Sequence, residues 1–353
     1  MTIVSIPMKF AEEGRMPKAI CIGELLIDFA TEKKIKVPLS ELIKNATLEE
    51  LMVTLNFGWA PGGAPANVSA GLAKLGVDCG FIGKIGDDPF GDILKKTLED
   101  CSVDVSHLKQ EKNARTTLAF VATREDESKD IFFYRNPGAD ILLRTSDIDV
   151  NYISSADVFH WGSVSLSHSP SREAVMRAIQ IAADNDLLMS YDPNWRPTLW
   201  DSPEDEAKEL IWQTMRFANV AKLAEEEWEF ITSTSDLDAG SEKLLDGGVN
   251  LVVVTRGKEG CYYNDGVSKG YIDGFEVDVV DPLGAGDGFV AAMLFKLMKE
   301  EKGAKLPDSR LREIMVYANA AGALTCTKSG VIPALPTAAD IKQFLSEVVL
   351  QTC

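Results

Sequence analysis

Histidine is scarce in this sequence. Three occur in 353 residues, His107, His160 and His168, at spacings that match no metal-ligand pattern. The six cysteines, Cys21, Cys79, Cys101, Cys261, Cys326 and Cys353, include no Cys-x-x-Cys pair, which excludes the common zinc and redox motifs. Several lie in apolar runs such as Ala19-Ile20-Cys21-Ile22, so we expect buried, reduced thiols. Positive charge is in deficit: 36 Lys and Arg against 54 Asp and Glu give a formal net charge of −18. Such a chain is repelled by nucleic acid and by anionic bilayers, and we expect neither as a partner. No apolar run is long enough to span a membrane. The leader, residues 1–17, carries Glu12 and Glu13 without an apolar core, so it does not read as a signal peptide. We expect a cytoplasmic protein with a poorly ordered leader. Also missing are the Walker motif G-x-x-x-x-G-K-[ST] and the H-R-D and D-F-G sets of protein kinases.

What is present is a rhythm. The length suits one large domain, here 18–345. Buried-strand runs (Ala19–Ile27, Cys79–Ile85, Val158–Trp161, Leu187–Tyr191, Ala218–Lys222, Leu251–Thr255) alternate with amphipathic stretches (Ala64–Leu75, Asp92–Cys101, Ser171–Asp184, Gly284–Lys299, Asp308–Thr325). That alternation predicts an α/β fold with a doubly wound, mostly parallel sheet flanked by helices. Asn113–Asn136 departs from it. Thr116–Thr123 and Ile131–Arg135 flank a polar turn and read as a hairpin. With the segment 29–60, which holds a predicted helix over Leu39–Met52, it would form a small β-sheet lid. Leu118, Phe120, Ile131 and Phe133 would give that lid an apolar face, and pairing two lids would make a homodimer.

Four stretches carry chemistry. In Asp281-Pro282-Leu283-Gly284-Ala285-Gly286-Asp287, a predicted strand (Gly274–Val280) leads into a helix. Small residues at Gly284, Ala285 and Gly286 let backbone N–H groups approach an anion, and the helix dipole adds to them. Asp287, in the first turn, could take a proton from a substrate hydroxyl. Alone, such a sequence could equally be a glycine-rich helix start with an Asp near its N-cap. Pro61-Gly62-Gly63-Ala64-Pro65-Ala66-Asn67 also opens a helix, where Asn67 offers donor and acceptor to a sugar hydroxyl. Asp28 ends the first predicted strand, where open α/β sheets bind ligands. Thr255-Arg256-Gly257 with Gly260 makes a strand-end turn suited to a triphosphate. Lys222 precedes three glutamates, of which Glu227 could hold Mg²⁺ through water.

Together these residues resemble the PfkB (ribokinase-like) carbohydrate kinases, over about Pro17 to Leu335. Both family signatures are present in order: Gly62–Asn67 followed by Gly83-Lys84-Ile85-Gly86-Asp87-Asp88, and Asp281–Asp287 with its apolar tail. Within the family the chain looks most like the fructokinases, on Phe133–Pro137, Phe159–Leu166, Tyr191–Trp200 and Ile332–Pro336. The resemblance implies Asp287 as base and Gly284, Ala285 and Gly286 as the anion hole. It implies Asp28, Gly62, Gly63, Asn67, Arg135 and Arg196 near the sugar. Thr255, Gly257, Gly260, Asn319 and Gly322 would line the ATP site. Asp281 and the carbonyl of Leu283 would belong to a K⁺ site. The chain departs from the fructokinase pattern at Pro282-Leu283 and at Ala224, where the family carries hydroxyl or amide side chains.

The expected activity is phosphorylation of D-fructose by ATP with Mg²⁺. Two other readings stay open. One is a ketodeoxygluconate kinase, which Asp281-Pro282 and Asn194–Trp200 also suit and which would need a basic pocket around Arg135 and Arg196. The other is a non-catalytic fructokinase-like binding protein, which would show a damaged anion hole or base. Here both motifs are intact.

Overall fold

The apolar run Ala19–Ile27 is two strands and not one. In the computed structural model, which describes residues 18–126, 129–302 and 305–351, β1 (Lys18–Ile22) and β2 (Leu26–Thr31) belong to different sheets. The chain bends at Gly23, where a Cβ would lie 2.6 Å from Pro65 Cγ, so only glycine fits the turn. The expected leader, 1–17, lies outside the described residues.

Further along are β3 (Phe57–Gly62), β4 (Asp78–Gly86), β5 (Leu108–Glu111), β6 (Leu118–Thr123), β7 (Lys129–Tyr134), β8 (Val158–Gly162), β9 (Leu188–Asp192), β10 (Val220–Ala224), β11 (Leu251–Thr255), β12 (Cys261–Asn264) and β13 (Lys269–Ile272). The large sheet runs β13-β12-β11-β10-β9-β8-β1-β4-β5. It is parallel from β11 to β5, with β12 and β13 added antiparallel at one edge. Every residue of β8 and β9 is buried, as a parallel strand covered on both faces requires, which is why these segments read as unbroken apolar runs. The strand order turns back beside β1, and ligand sites in open α/β sheets lie at such a point.

Helix Ala285–Leu297 lies between helices Ala64–Lys74 and Asp308–Thr325, so it is apolar nearly all round. Small residues let the backbones close in: a Cβ on Gly71 would come within 2.7 Å of Ala291 Cβ. This packing brings Asn67 and Asp287, on two different helices, to one spot.

The second sheet, β3-β2-β6-β7, is built from segments expected to form a lid. Its apolar face differs from the sequence expectation. The register sets Trp59 opposite Phe29, Phe29 opposite Phe120, and Phe120 opposite Phe132, giving one aromatic row across four strands. Leu118 shares that face with Tyr134. Ile131 and Phe133 lie on the other face with Asp28, because pairing sets Phe133 opposite Ala119 and Ala119 opposite Asp28. The predicted helix Leu39–Met52 is two short helices, Leu39–Asn45 and Leu48–Thr54, the second started by a Thr47–Glu50 capping box. The predicted strand Gly274–Val280 has no ladder partner and is irregular; Val279 and Val280 are exposed.

Candidate active site

Asp287 is buried in the first turn of its helix and accepts a 2.7 Å hydrogen bond at Oδ2 from Asn67 Nδ2. Burial pushes its carboxyl up to about 7. The Asn67 hydrogen bond opposes that shift, Asp192 reinforces it, and Lys222 and Arg196 pull back. A carboxylate poised near neutrality is what a general base needs. Asn67 Oδ1 is buried and meets no protein donor, so it can accept from an incoming hydroxyl. Arg196, whose Nη1 donates to the Trp195 carbonyl, is close enough to Asp287 to favour its charged form.

The loop before Asp287 is built for small residues. Gly284 has φ +80°, and a Cβ there would overlap Val331. A Cβ on Gly286 would lie 3.0 Å from Lys222 Nζ, so that ammonium sits against the backbone of this loop. Lys222 is itself buried and paired to Asp192 Oδ2 at 3.1 Å. Burial disfavours its charge, but Asp192, Glu227 and Asp287 outweigh burial and hold its pKa above the ordinary value. Asp192 Oδ1 is buried without a protein partner.

Of the residues expected near the sugar, Gly62 and Gly63 are held against Asp28 and Glu24. A Cβ on Gly62 would overlap Asp28 Oδ2, and one on Gly63 would lie 2.4 Å from the Glu24 carbonyl oxygen. Glu24 accepts at Oε1 from the Ala64 N–H (3.1 Å) and at Oε2 from Ser165 Oγ (3.4 Å), and burial pushes it up to about 7. Arg135, expected to face the sugar, is committed elsewhere. Its Nε and Nη2 donate to Asp140 Oδ2 (2.9 and 2.6 Å) and its Nη1 to Ser167 Oγ (3.1 Å).

Of the residues expected to line the ATP site, Thr255 ends β11, and Gly257 and Gly260 shape the turn, both with positive φ. Arg256 turns to Glu225 and Glu259 at the surface and not to the loop. Asn319 donates to the carbonyls of Ile272 and Asp273 (3.3 and 3.2 Å), fixing the irregular segment that follows β13. Gly322 packs on the Ala285 carbonyl, 3.1 Å from where its Cβ would be. Glu227 is fixed by two backbone donors, the N–H groups of Ala224 (2.8 Å) and Trp195 (2.6 Å). Asp281 caps its loop, accepting at Oδ1 from the Leu283 N–H (3.0 Å) and at Oδ2 from the Gly330 N–H (3.4 Å). Among the described residues no cluster of three or more His, Cys, Asp or Glu side chains could hold a metal by itself.

Neither Asp192, Glu24 nor Asp140 stands out in the sequence. Asp192 ends β9, so the strand-end rule points to it, whereas Asp28, expected at the end of the first strand, lies inside β2 of the second sheet because the chain bends at Gly23. The other two show their role only through long-range contacts.

Residues 16–338 match the model of the pfkB family carbohydrate kinases. A probable fructokinase-4 of Arabidopsis thaliana is 40% identical over 338 residues, 95% of this chain and 98% of that protein. A fructokinase from Xylella fastidiosa, solved with bound ATP, superposes with a TM-score of 0.79 at 28% identity, covering 94% of this chain and 99% of that one. A double mutant of the Vibrio cholerae O395 fructokinase, in a form with fructose, ADP and potassium ion bound, gives 0.78 at 30% identity over 94% and 98%. The fold is ribokinase-like, and the chain belongs to the pfkB family of carbohydrate kinases.

Proposed function

We propose that this kinase transfers the γ-phosphoryl group of ATP to D-fructose, giving fructose 6-phosphate and ADP. The observation that carries the reading is the buried Asn67–Asp287 pair, with Asn67 Oδ1 open to a substrate hydroxyl. Asp287 takes the hydroxyl proton as the oxygen attacks phosphorus. The backbone N–H groups of Gly284–Gly286, the helix dipole and Lys222 stabilise the charge that develops on the phosphoryl oxygens and on departing ADP. Asp28, Gly62, Gly63 and Asn67 hold the sugar, and Arg196 lies beside the base. Thr255, Gly257, Gly260, Asn319 and Gly322 line the nucleotide side.

Mg²⁺ neutralises phosphate charge in such a reaction. The unpartnered Asp192 Oδ1 and the buried carboxylate of Glu227 suit contact with its water shell. A K⁺ ion suits the loop that Asp281 closes between Leu283 and Gly330, where the Leu283 carbonyl would be a ligand. The aromatic lid face suits a homodimer. No helix among the described residues is long and apolar enough to cross a membrane, and we place the enzyme in the cytoplasm. The test is coupled ADP release with fructose, ketodeoxygluconate and ribose. Fructose should give the highest kcat/KM, and a preference for either of the others would overturn the assignment.

A further inference from the structure

The seam between lid and main sheet holds a buried ion pair that the reaction itself does not use. The Arg135 side chain is 5% exposed and that of Asp140 1%. Asp140 Oδ2 receives both Nε and Nη2 of Arg135, and Asp140 Oδ1 accepts from Thr117 Oγ1 at 2.5 Å. Arg135 Nη1 is held by Ser167, whose hydroxyl also contacts His168 Nδ1, and His168 Nε2 reaches Asp201 at the surface. The turn between the two partners leaves no slack. A Cβ on Gly138 would lie 2.0 Å from Thr117 Oγ1 and 2.7 Å from both Arg135 Cγ and Asp140 Oδ1. Arg135 therefore cannot swing into the sugar site without giving up two charge-assisted hydrogen bonds to one carboxylate oxygen.

We propose that Asp140 is a specificity-determining residue, which excludes acidic sugars from the acceptor site by holding Arg135 in a buried, neutralised pair. This deepens the sugar-kinase reading and rests on it. A sugar carboxylate needs a cation to replace its hydration. Of the basic side chains around the site, Lys222 is paired to Asp192 and Arg135 to Asp140. Arg196 is near enough to Asp287 to favour its charge. The wall next to Arg135 adds the carboxyl of Glu24, close enough to sense both members of the pair. An acidic acceptor would thus meet Asp28, Asp192 and Asp287 with one cation near the base to answer them, whereas a neutral sugar brings hydroxyls that these carboxylates and Asn67 accept. Asp140 itself touches no substrate. It acts by where it keeps Arg135.

The test compares kcat/KM for fructose and for 2-keto-3-deoxygluconate in the full-length enzyme. Wild type should favour fructose by about a hundredfold or more. Asp140→Asn keeps an acceptor for Thr117 but removes the charge, and Asp140→Ser also opens space. Either variant that folds, judged by thermal unfolding, should raise the acid-to-fructose ratio by about tenfold or more, the worth of one charge-assisted contact. Adding Arg135→Gln to Asp140→Asn should take that gain away, which a merely structural role for Asp140 does not predict. A folded variant with an unchanged ratio overturns the proposal. Wild type also decides without any variant. A sugar acid that inhibits fructose phosphorylation with a Ki at or below the fructose KM overturns the proposal, and lack of inhibition up to about a hundred times that concentration supports it. If wild type uses another neutral sugar and not fructose, only the fructose assignment falls, and the same ratio is read against that sugar.

Discussion

Asn67 and Asp287 are 220 positions apart in sequence and 2.7 Å apart in space, and one hydrogen bond between them orients the buried carboxylate. Each lies in the first turn of its own helix, and the close packing of those helices is what joins them. Asp287→Asn preserves shape and replaces the carboxylate by an amide that cannot take a proton at neutral pH. We predict that kcat falls about 10²–10⁴-fold while the sugar still binds. Steady-state kinetics with isothermal titration of the sugar checks this, and a variant with more than half of wild-type kcat would remove Asp287 from the base role.

The pH profile follows from burial of the same group. With its carboxyl pushed up to about 7, Asp287 is mostly protonated at pH 6 and mostly ionised at pH 8. Only the ionised form is a base, so kcat/KM should rise through about pH 7 and level off above it. The residual activity of Asp287→Asn should lack that limb. A wild-type profile flat between pH 5.5 and 8.5 would contradict the assignment.

Stability should carry the opposite slope. The folded protein holds the Asp287 proton more tightly than the unfolded chain does, where an Asp titrates near 3.9. The stability linked to that proton is fully present below about pH 4 and is lost as pH rises through about 7. Asparagine has no proton to lose. Asp287→Asn should therefore gain stability relative to wild type as pH goes from 5 to 8, by up to about 3 kcal/mol. Urea unfolding of both proteins at the two pH values measures the gap, and a gap that stays constant or narrows contradicts it.

Much of this was legible in the sequence because a parallel sheet buried on both faces writes itself as apolar runs. The strands that became β4, β8, β9, β10 and β11 could be placed to within two residues for that reason, and helices Ser171–Asp184 and Asp308–Thr325 to the residue. The run through Gly23 was not separable, since nothing in Ala19–Ile27 distinguishes two buried strands from one until Pro65 is seen packed against the bend. Gly274–Val280 alternates like a strand but joins no ladder, although β13 ends the large sheet with an open edge among the described residues. The glycine-rich helix start at Gly284–Asp287 could be read because its backbone demands are local. Arg135 could not, because its partner is chosen by tight closure of the turn around Gly138 and not by spacing.

The lid gives the last prediction. Trp59, Phe29, Phe120 and Phe132 form one row, with Phe120 stacked between Phe29 and Phe132 at centroid distances of 5.0 and 5.1 Å. Phe29 also meets Phe90 edge-on, so the main domain covers part of that row. The outer members stay in solvent: Trp59 is 53% exposed, Phe132 37%, and Tyr134, next to the row, 65%. Three large aromatic side chains open on one face of a small sheet form an apolar patch of the kind that marks an interface. A second copy of the same face would cover it about a two-fold axis, with each ring counted twice. Burying one such ring contributes about 1.5–3 kcal/mol. We therefore predict a dimer in solution, and a dissociation constant at least about a hundredfold weaker for Phe132→Glu, which places two carboxylates in the interface. Sedimentation equilibrium across a concentration series measures both. Wild type that stays monomeric at tens of micromolar would contradict the lid-to-lid dimer, as would a Phe132→Glu protein that dimerises as tightly as wild type. Since the opposite face of the sheet carries Asp28, the monomeric variant should also show a raised KM for the sugar with a smaller change in kcat, because the lid would lose the support of its partner above the acceptor site.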